Sequence, residues 1–283
     1  MAFTWFPGHM RKALSRIEAD ARLVDLVLML VDARAPATSR NLTLERTLRR
    51  HGKRLVFVLS KADMADPAVT QAWVNDLQRD EQDAVAVSGA TGAGRAGLLQ
   101  VLRARHKKSL DAARHRGIQH ATLRCMVVGV PNAGKSTLIN KLSGSGRAKT
   151  GKHAGVTRGP QWVRLSDDIE LLDTPGVMLP GRLDSESLLA LAVMGTIKEE
   201  VLPLDELAPL LVKLIQGRGL GSRAFGERPL PPEGDWLQWL QALCRARGFL
   251  LPGNELDERR AVLFLLKALR DGRWGPISLE RPA

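Results

Sequence analysis

Mostly apolar runs alternate with amphipathic stretches through the first 180 residues of the chain. Runs typical of buried strands occupy residues 24–31, 55–59, 84–87 and 123–128. Spaced apolar positions, capping residues and terminal glycines predict helices at 11–23, 41–50, 67–79, 95–116 and 135–142. Residues 162–165 and 169–172 fit a hairpin-like pair of strands. This alternation predicts an α/β fold with a mostly parallel sheet and helices on both of its faces.

The pattern changes near Pro180, after which helical spacing dominates. Apolar residues recur at intervals of three and four, as in Trp236, Trp239, Leu240 and Leu243. We therefore predict an α/β domain over 1–180, including an N-terminal helical segment, and a small all-helical domain over 183–283. The apolar stripes of the second domain are interpreted as its core. Residues 143–160 are rich in Gly, Lys and Thr and predict a mobile loop.

Composition narrows the class of protein. The 283 residues are 44% apolar and 25% charged, which is typical of a globular protein that has enough apolar material for a full core. Apolar stretches such as Leu26 to Val31 are too short to cross a bilayer, and no signal-peptide pattern opens the chain. Cys125 and Cys244 lack paired or metal-ligand spacing. We therefore expect a cytoplasmic protein with no membrane partner.

The charge is unevenly distributed. The formal net charge is +12, and residues 1–180 hold all of the surplus, with 28 Lys/Arg against 16 Asp/Glu. Residues 95–124 carry eight basic side chains and one acidic side chain, Asp111. Such asymmetry favours a phosphate-rich partner, most often a nucleic acid, over the alternative of a generically basic protein.

A phosphate-binding loop follows the strand at 123–128. Residues 129–136 match G-x-x-x-x-G-K-[ST], between a predicted strand and a predicted helix. In such loops backbone N–H groups wrap the phosphates, the lysine reaches the terminal phosphates, and the hydroxyl after it ligates Mg²⁺. Lys135 and Ser136 take these two roles here. The predicted nucleotide-binding residues of the loop are Pro131, Asn132, Ala133, Gly134, Lys135, Ser136 and Thr137.

A second motif, Asp173-Thr-Pro-Gly176, ends the later strand of the hairpin-like pair. Asp173 is predicted to hold Mg²⁺ through water, and the Gly176 N–H to meet the γ-phosphate. Between this motif and the phosphate-binding loop, Thr157 is the candidate whose hydroxyl completes the metal shell when the γ-phosphate is present. The alternative is that Thr157 is an ordinary loop residue. Lys135, Thr157 and Gly176 are the catalytic candidates on this side of the nucleotide.

Guanine recognition is predicted from Lys61-Ala-Asp63, the only Lys-x-Asp in the chain. It follows a strand and Ser60. An aspartate there accepts hydrogen bonds from guanine N1–H and N2–H₂, a donor pair that adenine lacks, and so selects the base. At the end of the next strand, Ser88, Gly89 and Ala90 are predicted to offer backbone N–H groups to guanine O6. The alternative for Lys61-Ala-Asp63 is a surface tripeptide without function.

The order of these motifs is unusual. In ordinary GTPases the guanine-reading element follows Asp-x-x-Gly, whereas here it precedes the phosphate-binding loop. A parallel sheet fixes where strand ends lie in space, but not the order in which the chain visits them, so joining the old termini preserves the site. The sequence therefore predicts a circularly permuted P-loop GTPase domain followed by the small helical domain.

The chain resembles the circularly permuted GTPases of the ribosome biogenesis GTPase A family. The resemblance runs nearly end to end, through residues 5–10, 32–36, 40–41, 129–137, 161–162, 172–176, 195–198 and 270–280. It implies binding of GTP and GDP, association with the large ribosomal subunit precursor late in its assembly, and contact of the helical domain with rRNA. We expect hydrolysis to release the factor.

The resemblance assigns two further residues. His9 is implied to orient the attacking water, and histidine suits proton transfer near neutral pH; the alternative is a structural histidine in a tight turn. Asn132 resembles the potassium-ligating asparagine of cation-dependent GTPases, the alternative being an asparagine that caps a turn. Val177 stands where many GTPases have a water-orienting glutamine, so turnover should be slow alone and stimulated by the ribosomal particle.

Two positions depart from the family pattern. Ser60 replaces an asparagine whose amide would brace the guanine loop, which predicts weaker nucleotide affinity, and Ala154 replaces a proline. We expect a monomeric large-subunit assembly factor that needs Mg²⁺ and K⁺. The alternative is a regulatory GTPase with a non-ribosomal RNA or protein partner. A membrane-transport GTPase would need membrane spans, and an ATPase or kinase would leave Asp63 and the permuted order unexplained.

Overall fold

The computed structural model describes residues 3–4, 8–79, 82–115, 122–144, 161–177, 182–232 and 234–282. The chain forms two compact units. An α/β unit comprises residues 5–181 and 278–283, and a helical unit comprises residues 1–4 and 182–277. Residues 1–4 thus belong to the helical unit and residues 278–283 to the α/β unit. In these two segments the units differ from the division predicted at 1–180 and 183–283.

Helices and strands alternate in the first part of the chain and helices dominate the second. In chain order the described elements are β1 (Phe3–Thr4), α1 (Gly8–Ala21), β2 (Leu26–Asp32), α2 (Pro36–Ser39), α3 (Leu42–Arg50), β3 (Arg54–Ser60), α4 (Pro67–Gln78), β4 (Asp83–Val87), α5 (Arg95–Arg114), β5 (Leu123–Gly129), α6 (Lys135–Ser143), β6 (Gln161–Ser166), β7 (Ile169–Asp173), β8 (Arg182–Leu183), α7 (Ser185–Met194), α8 (Leu204–Gly217), α9 (Gly221–Phe225), α10 (Trp236–Arg247) and α11 (Glu258–Arg270). Single 3₁₀ turns lie at Ala62–Met64 and Glu199–Val201.

The α/β unit contains a six-stranded sheet in the order β4-β3-β2-β5-β7-β6. All neighbouring strands are parallel except β6, which runs antiparallel to β7 as the hairpin-like pair predicted. The predicted α/β class, with a mostly parallel sheet, is therefore confirmed. Because the strands are parallel, the carboxyl ends of β2, β3, β4, β5 and β7 meet at one edge of the sheet.

Alternate residues of the fully buried strand β2 face opposite layers of helices. Val27, Met29 and Val31 belong to a core that also includes buried side chains of α1, α3 and α4. Helices α5 and α6 contact strands β4 and β5 and contribute other buried residues: Leu98, Leu102, Leu138, Ile139 and Leu142. The sheet is therefore covered by helices on both faces, as a mostly parallel sheet requires.

Local chemistry explains where two helices next to the candidate site begin. The side chain of Asn41 accepts a hydrogen bond from Leu44 N, which caps α3. The carboxylate of Asp66 accepts hydrogen bonds from Ala68 N and Val69 N, and Pro67 occupies the first position of α4. Both caps hold the loop between β3 and α4, and the loop after β2, in fixed positions.

The helical unit is held together by mutual contacts of α7, α8, α10 and α11. Of its predicted apolar stripe, Trp239, Leu240 and Leu243 are buried and Trp236 is half-buried, and the rings of Phe225 and Trp239 meet edge to face at 5.1 Å. Strands β1 and β8 pair antiparallel at its margin, a pairing that the short sequence signal did not predict. Within the described ranges of the chain, the helices are too short or too polar to span a membrane.

Candidate nucleotide-binding site

Every sequence-predicted motif that the structure describes lies at the carboxyl edge of the sheet. Ser60 ends β3, Val87 ends β4 just before Ser88, Gly129 ends β5, and Asp173 ends β7. Crevices outside the carboxyl ends of parallel strands are where open α/β sheets bind ligands. The topology therefore brings together motifs that are up to 113 residues apart in sequence, from Ser60 to Asp173.

The phosphate-binding loop is closed around its own lysine. Gly134 has a φ of +89°, which favours glycine, and α6 begins at the next residue. The Lys135 ammonium donates to the carbonyl oxygens of Gly129 and Val130, at 3.1 and 3.0 Å. Burial lowers the pKa of Lys135 to about 8; the positive charge of Lys61 acts in the same direction, and the charge of Asp173 opposes it. The ammonium is therefore held by two backbone carbonyls of its own loop.

The Asp173-Thr-Pro-Gly176 segment packs tightly on this loop. A Cβ on Gly176 would lie 2.9 Å from Pro131 Cα and 3.0 Å from Lys135 Nζ, so only glycine fits without a shift. Val177 N donates to the Gly129 carbonyl at 3.1 Å, and the Thr174 hydroxyl donates to the Val127 carbonyl at 2.6 Å. The two phosphate-side motifs are therefore held together by backbone contacts rather than by long side chains.

Oxygen ligands suitable for Mg²⁺ are present beside the loop. Ser136 lies in the first turn of α6, and the Asp173 carboxylate is close enough to Lys135 for their charges to interact. Burial raises the pKa of Asp173, while the charge of Lys135 and the backbone N–H of Thr174 act in the opposite direction. Over the described ranges, no cluster of three or more His, Cys, Asp or Glu forms a complete metal cage. A hydroxyl and one carboxylate fit Mg²⁺, which in nucleotide sites takes further ligands from phosphates and water.

The predicted guanine loop, residues 60–63, has an unusual backbone conformation at its second residue. Lys61 adopts a left-handed conformation with φ +54°, and a 3₁₀ turn over Ala62–Met64 follows and leaves Asp63 exposed. The buried Ser60 hydroxyl lies 2.7 Å from the Ala133 carbonyl and 3.0 Å from the Val31 carbonyl, either of which it can donate to. Ser60 therefore still connects the guanine loop to the phosphate-binding loop, a brace that its replacement of asparagine was expected to remove.

The Ser88-Gly89-Ala90 segment also approaches the phosphate-binding loop. A Cβ on Gly89 would lie 2.8 Å from Thr137 Cγ2. The buried Ser88 hydroxyl accepts a hydrogen bond from Thr91 N at 3.0 Å and fixes the turn that presents this segment. Gly89 and Thr137, predicted as neighbours of one nucleotide, are thus in close contact.

Three residues singled out from the sequence cannot be placed. Thr157 and Ala154 lie outside the described residues. His9 lies in the first turn of α1, and its side chain is likewise outside the described part of the chain. Their predicted roles stay predictions.

Two residues at this edge, Asp32 and Arg34, received no role in the prediction. Asp32 is directly opposite Ser60 in the register of β2 and β3, and its carboxylate accepts a hydrogen bond from Lys61 Nζ at 2.9 Å. Arg34 is fully buried and binds the same carboxylate. The sequence signal for Asp32 is an aspartate at the end of a buried strand; its place opposite Ser60 follows from strand pairing.

Comparison with known proteins adds a family to this geometry. A family model described as "50S ribosome-binding GTPase" matches residues 124–216. The match begins within the strand that leads into the phosphate-binding loop, so the predicted guanine-reading residues precede it. A solved structure described as GNP-bound YlqF from T. maritima superposes with a TM-score of 0.65 and 26% identity, covering 96% of this chain and 98% of that one. The GDP-bound structure of the same protein gives 0.63, again at 26% identity, with 94% and 99% coverage.

Three relatives that match along nearly their whole length share a name. Ribosome biogenesis GTPase A of Bacillus licheniformis is 34% identical over 100% of this chain and 99% of its own length. The protein of that name from Bacillus cereus is 35% identical, with 100% and 95% coverage, and the one from Thermotoga maritima is 30% identical, with 99% and 94% coverage. With this identity over the whole length, and with the permuted motif order placed at one sheet edge, the chain belongs to the ribosome biogenesis GTPase A family.

Proposed function

We propose that this protein binds and hydrolyses GTP at the carboxyl edge of its sheet and acts in assembly of the large ribosomal subunit. The single observation that carries the proposal is the direct link between the two halves of the site. Ser60, which precedes the guanine-reading Lys61 and Asp63, contacts the carbonyl of Ala133 in the phosphate-binding loop. One nucleotide can then reach from Asp63 to Lys135.

The dimensions support a shared nucleotide. Only β2 lies between β3 and β5, so the strand ends that lead to Asp63 and Lys135 are about 10 Å apart at the usual strand spacing. The base would lie on the guanine loop, with the Ser88–Ala90 segment at its O6 side. The phosphates would lie on the loop from Pro131 to Thr137.

Metal ions would complete the phosphate side. Ser136, Asp173 and, by prediction, Thr157 would hold Mg²⁺, which offsets charge on the phosphates when bound. Asn132 adopts φ +62°, a conformation that asparagine tolerates, and we assign its side chain to K⁺. Hydrolysis that proceeds at the same rate in sodium and potassium buffers would reject the K⁺ assignment and leave Asn132 with a purely backbone role.

Hydrolysis should be slow in the isolated protein. Val177 follows Gly176, is buried and cannot hydrogen-bond a water. We assign water orientation to His9, and expect the ribosomal particle to stimulate turnover by fixing it. His9→Ala should lower ribosome-stimulated hydrolysis while GTP affinity is retained; unchanged stimulated turnover would overturn this assignment.

The base assignment is tested with Asp63→Asn. Wild-type protein should bind GTP and GDP, with ATP a poor competitor. The amide of the variant cannot accept from both guanine donors, but it can donate to a 2-oxo group. The variant should therefore lose guanine affinity by roughly 100-fold and gain affinity for xanthine nucleotides. ATP that competes with GTP equally well in the wild type would contradict the function itself.

The ribosomal partner is supported by the family description and by the basic surplus of residues 1–180, and we propose that the protein acts in the cytoplasm. Helix α5 exposes Arg103, Lys107 and Lys108. We expect a monomer that co-sediments with large-subunit precursors in the presence of a non-hydrolysable GTP analogue, with a steep loss as salt increases. Hydrolysis should release it.

A charge-reversal pair locates the contact. If α5 binds rRNA, Arg103→Glu/Lys107→Glu should abolish co-sedimentation, whereas Lys213→Glu on the exposed face of α8 should have a small effect. The reverse result would place the contact on the helical unit. Binding of neither precursor nor mature subunit would favour the alternative, a regulatory GTPase with another partner.

A further inference from the structure

Asp32 and Arg34 form a buried ion pair beneath the guanine loop. Arg34 Nη2 and Nε donate to the two carboxylate oxygens of Asp32, each at 2.9 Å, and Arg34 N donates to one of them at 3.1 Å. The Arg34 side chain is 0% exposed and that of Asp32 is 1% exposed. Such a pair is costly to desolvate, so its presence at a strand end is weak evidence for a gain in stability over apolar side chains.

The carboxylate of Asp32 also binds a third charged group, the ammonium of Lys61 in the guanine loop. Lys61 Nζ lies 2.9 Å from Asp32 Oδ2, and its side chain is 23% exposed. Burial alone would raise the pKa of Asp32, but the hydrogen bond from Arg34 and the charge of Lys61 hold it at about 2. The carboxylate is therefore ionised at every physiological pH and always available to the lysine.

The backbone around Asp32 is fixed from several sides. Asp32 N donates to Ser39 Oγ at 2.9 Å, and Ala33 N donates to the Ser60 carbonyl at 2.9 Å. The C-terminal tail, residues 278–282, adds a hydrogen bond from Leu279 N to the Arg34 carbonyl at 2.7 Å. The Asp32 carboxylate is consequently a rigid point from which Lys61 is held.

We propose that Asp32, locked by Arg34, is the positioning residue that anchors the ammonium of Lys61 and so sets the aliphatic stem of Lys61 as the floor on which guanine lies. This rests on the proposed assignment of Lys61 and Asp63 to the base. A lysine stem loses rotamer freedom when it is fixed, and an anchor in the free protein makes that loss before the nucleotide arrives. Neither Asp32 nor Arg34 needs to touch the nucleotide.

The first test compares Asp32→Asn with a matched control. Glu45 is likewise a buried carboxylate paired with two arginines, Arg40 and Arg49, but those arginines belong to α3 and the loop before it. Asp32→Asn should weaken GTP and GDP binding by the same factor, about tenfold, because the base and not the phosphates is affected. Glu45→Gln should leave both dissociation constants within about twofold of wild type.

The second test keeps the buried pair intact and remains decisive if Asp32→Asn does not fold. Lys61→Met retains an aliphatic stem without the ammonium and should also weaken both nucleotides about tenfold. Lys61→Arg, which can renew the ion pair, should restore affinity to within about threefold of wild type. Asp32→Asn/Lys61→Met should be no weaker than the weaker single variant, since both changes break one interaction.

The outcomes separate the inference from the function it rests on. Wild-type protein that does not bind guanine nucleotides would remove the proposed function. Wild-type binding with unchanged affinity in Lys61→Met, or additive losses in the double variant, would overturn the positioning role and leave the function standing.

Discussion

The two ends of the candidate site are built from different materials. At the guanine end, side chains do the positioning: Asp32, Arg34 and Lys61 form one connected cluster at distances of 2.9 Å. At the phosphate end, the backbone does it. Gly134 adopts a positive φ in the loop, and Gly176 allows its segment to pack closely against Pro131. Lys135 donates to carbonyls of its own loop.

The difference teaches which changes each end should tolerate. Phosphates are the same in every nucleotide, so a loop of backbone N–H groups with a helix N-terminus is enough to bind them. A base must be distinguished from other bases by side chains in fixed positions, and those side chains need support from the residues packed against them. We expect the guanine end to fail through loss of buried charge partners, and the phosphate end through loss of the lysine or of a glycine.

The largest effect is expected from breaking the buried pair. Asp32→Asn should lower the free energy of unfolding by roughly 3–5 kcal/mol at pH 7, because it leaves the Arg34 guanidinium buried without its carboxylate. Chemical denaturation followed by circular dichroism measures it. Glu45→Gln is the control: its arginines are 25% and 42% exposed, so its cost should be about 1 kcal/mol.

The same pair predicts a pH dependence with a definite sign. The pKa of Asp32 is about 2 in the folded protein, below the ordinary value of 3.8. Its ionised form therefore contributes about 2 kcal/mol above pH 4, and this contribution is lost as pH falls from about 4 to about 2. The stability difference between wild type and Asp32→Asn should narrow over that window; a constant difference would contradict the pKa assignment.

At the phosphate end, Lys135→Ala should weaken GTP binding by roughly 100-fold, about 3 kcal/mol, since charge-assisted hydrogen bonds to the terminal phosphates are lost. The preference for guanine over adenine should persist, because the base contacts are untouched. Lys141→Ala, an exposed lysine of the same helix, is the control. Competition binding measures the affinities for GTP, GDP and ATP in each variant. A change in the preference for guanine over adenine would show that the two ends of the site are not independent.

The C-terminal tail offers a smaller perturbation of the guanine end. The Glu280 carboxylate accepts hydrogen bonds from Ala37 N, Thr38 N and the Thr38 hydroxyl, and Ser278 Oγ accepts one from Asp66 N. Glu280→Ala should lower the free energy of unfolding of the α/β unit by about 2 kcal/mol and weaken the binding of guanine nucleotides severalfold. Arg281→Ala is the control from the same tail. Thermal unfolding with and without GDP separates the two effects; if Glu280→Ala and Arg281→Ala unfold alike, the tail contacts are not stabilising.

The smallest expected effect concerns the bridge between the ends. Ser60→Ala removes the hydroxyl that contacts the Ala133 and Val31 carbonyls and should cost about 1 kcal/mol of stability with a fewfold loss in nucleotide affinity. Ser60→Asn tests whether the family residue binds better. Isothermal titration calorimetry with GDP measures the nucleotide affinity of both variants. An affinity unchanged in Ser60→Ala would show that the contact between Ser60 and Ala133 is not needed for binding.

Much of the α/β unit could be predicted from the sequence, with element bounds within a few residues. Strand β2, predicted at 24–31, is observed at Leu26–Asp32, and α4, predicted at 67–79, ends at Gln78. Strong buried strands and capped helices carry their own signals. The four-residue helix α2 and strands β1 and β8 were missed, because elements of two to four residues are stabilised by what they pair with and not by local propensity.

In the candidate site, the sequence predicts the motifs that have fixed spacing, but it does not predict the residues that support them. The pattern of letters predicts roles for Lys61, Asp63, Lys135, Ser136, Asp173 and Gly176, and these roles stay predictions. Arg34 was quoted only as part of a resemblance, since nothing local announces that its side chain is fully buried beneath Lys61. The expectation that Ser60 leaves the loop unbraced was wrong in its premise, because the hydroxyl meets a carbonyl 73 residues away.

The sequence by itself determined the phosphate-binding loop and the order of the motifs, and it predicted a guanine-reading carboxylate, each from a few contiguous residues whose backbone needs are local. Only the tertiary structure decided how those pieces support one another. Parallel pairing placed Asp32 opposite Ser60, and returned the C-terminal tail to Arg34. Contacts between residues far apart in the chain depend on strand register and burial, and neither is written in any one segment.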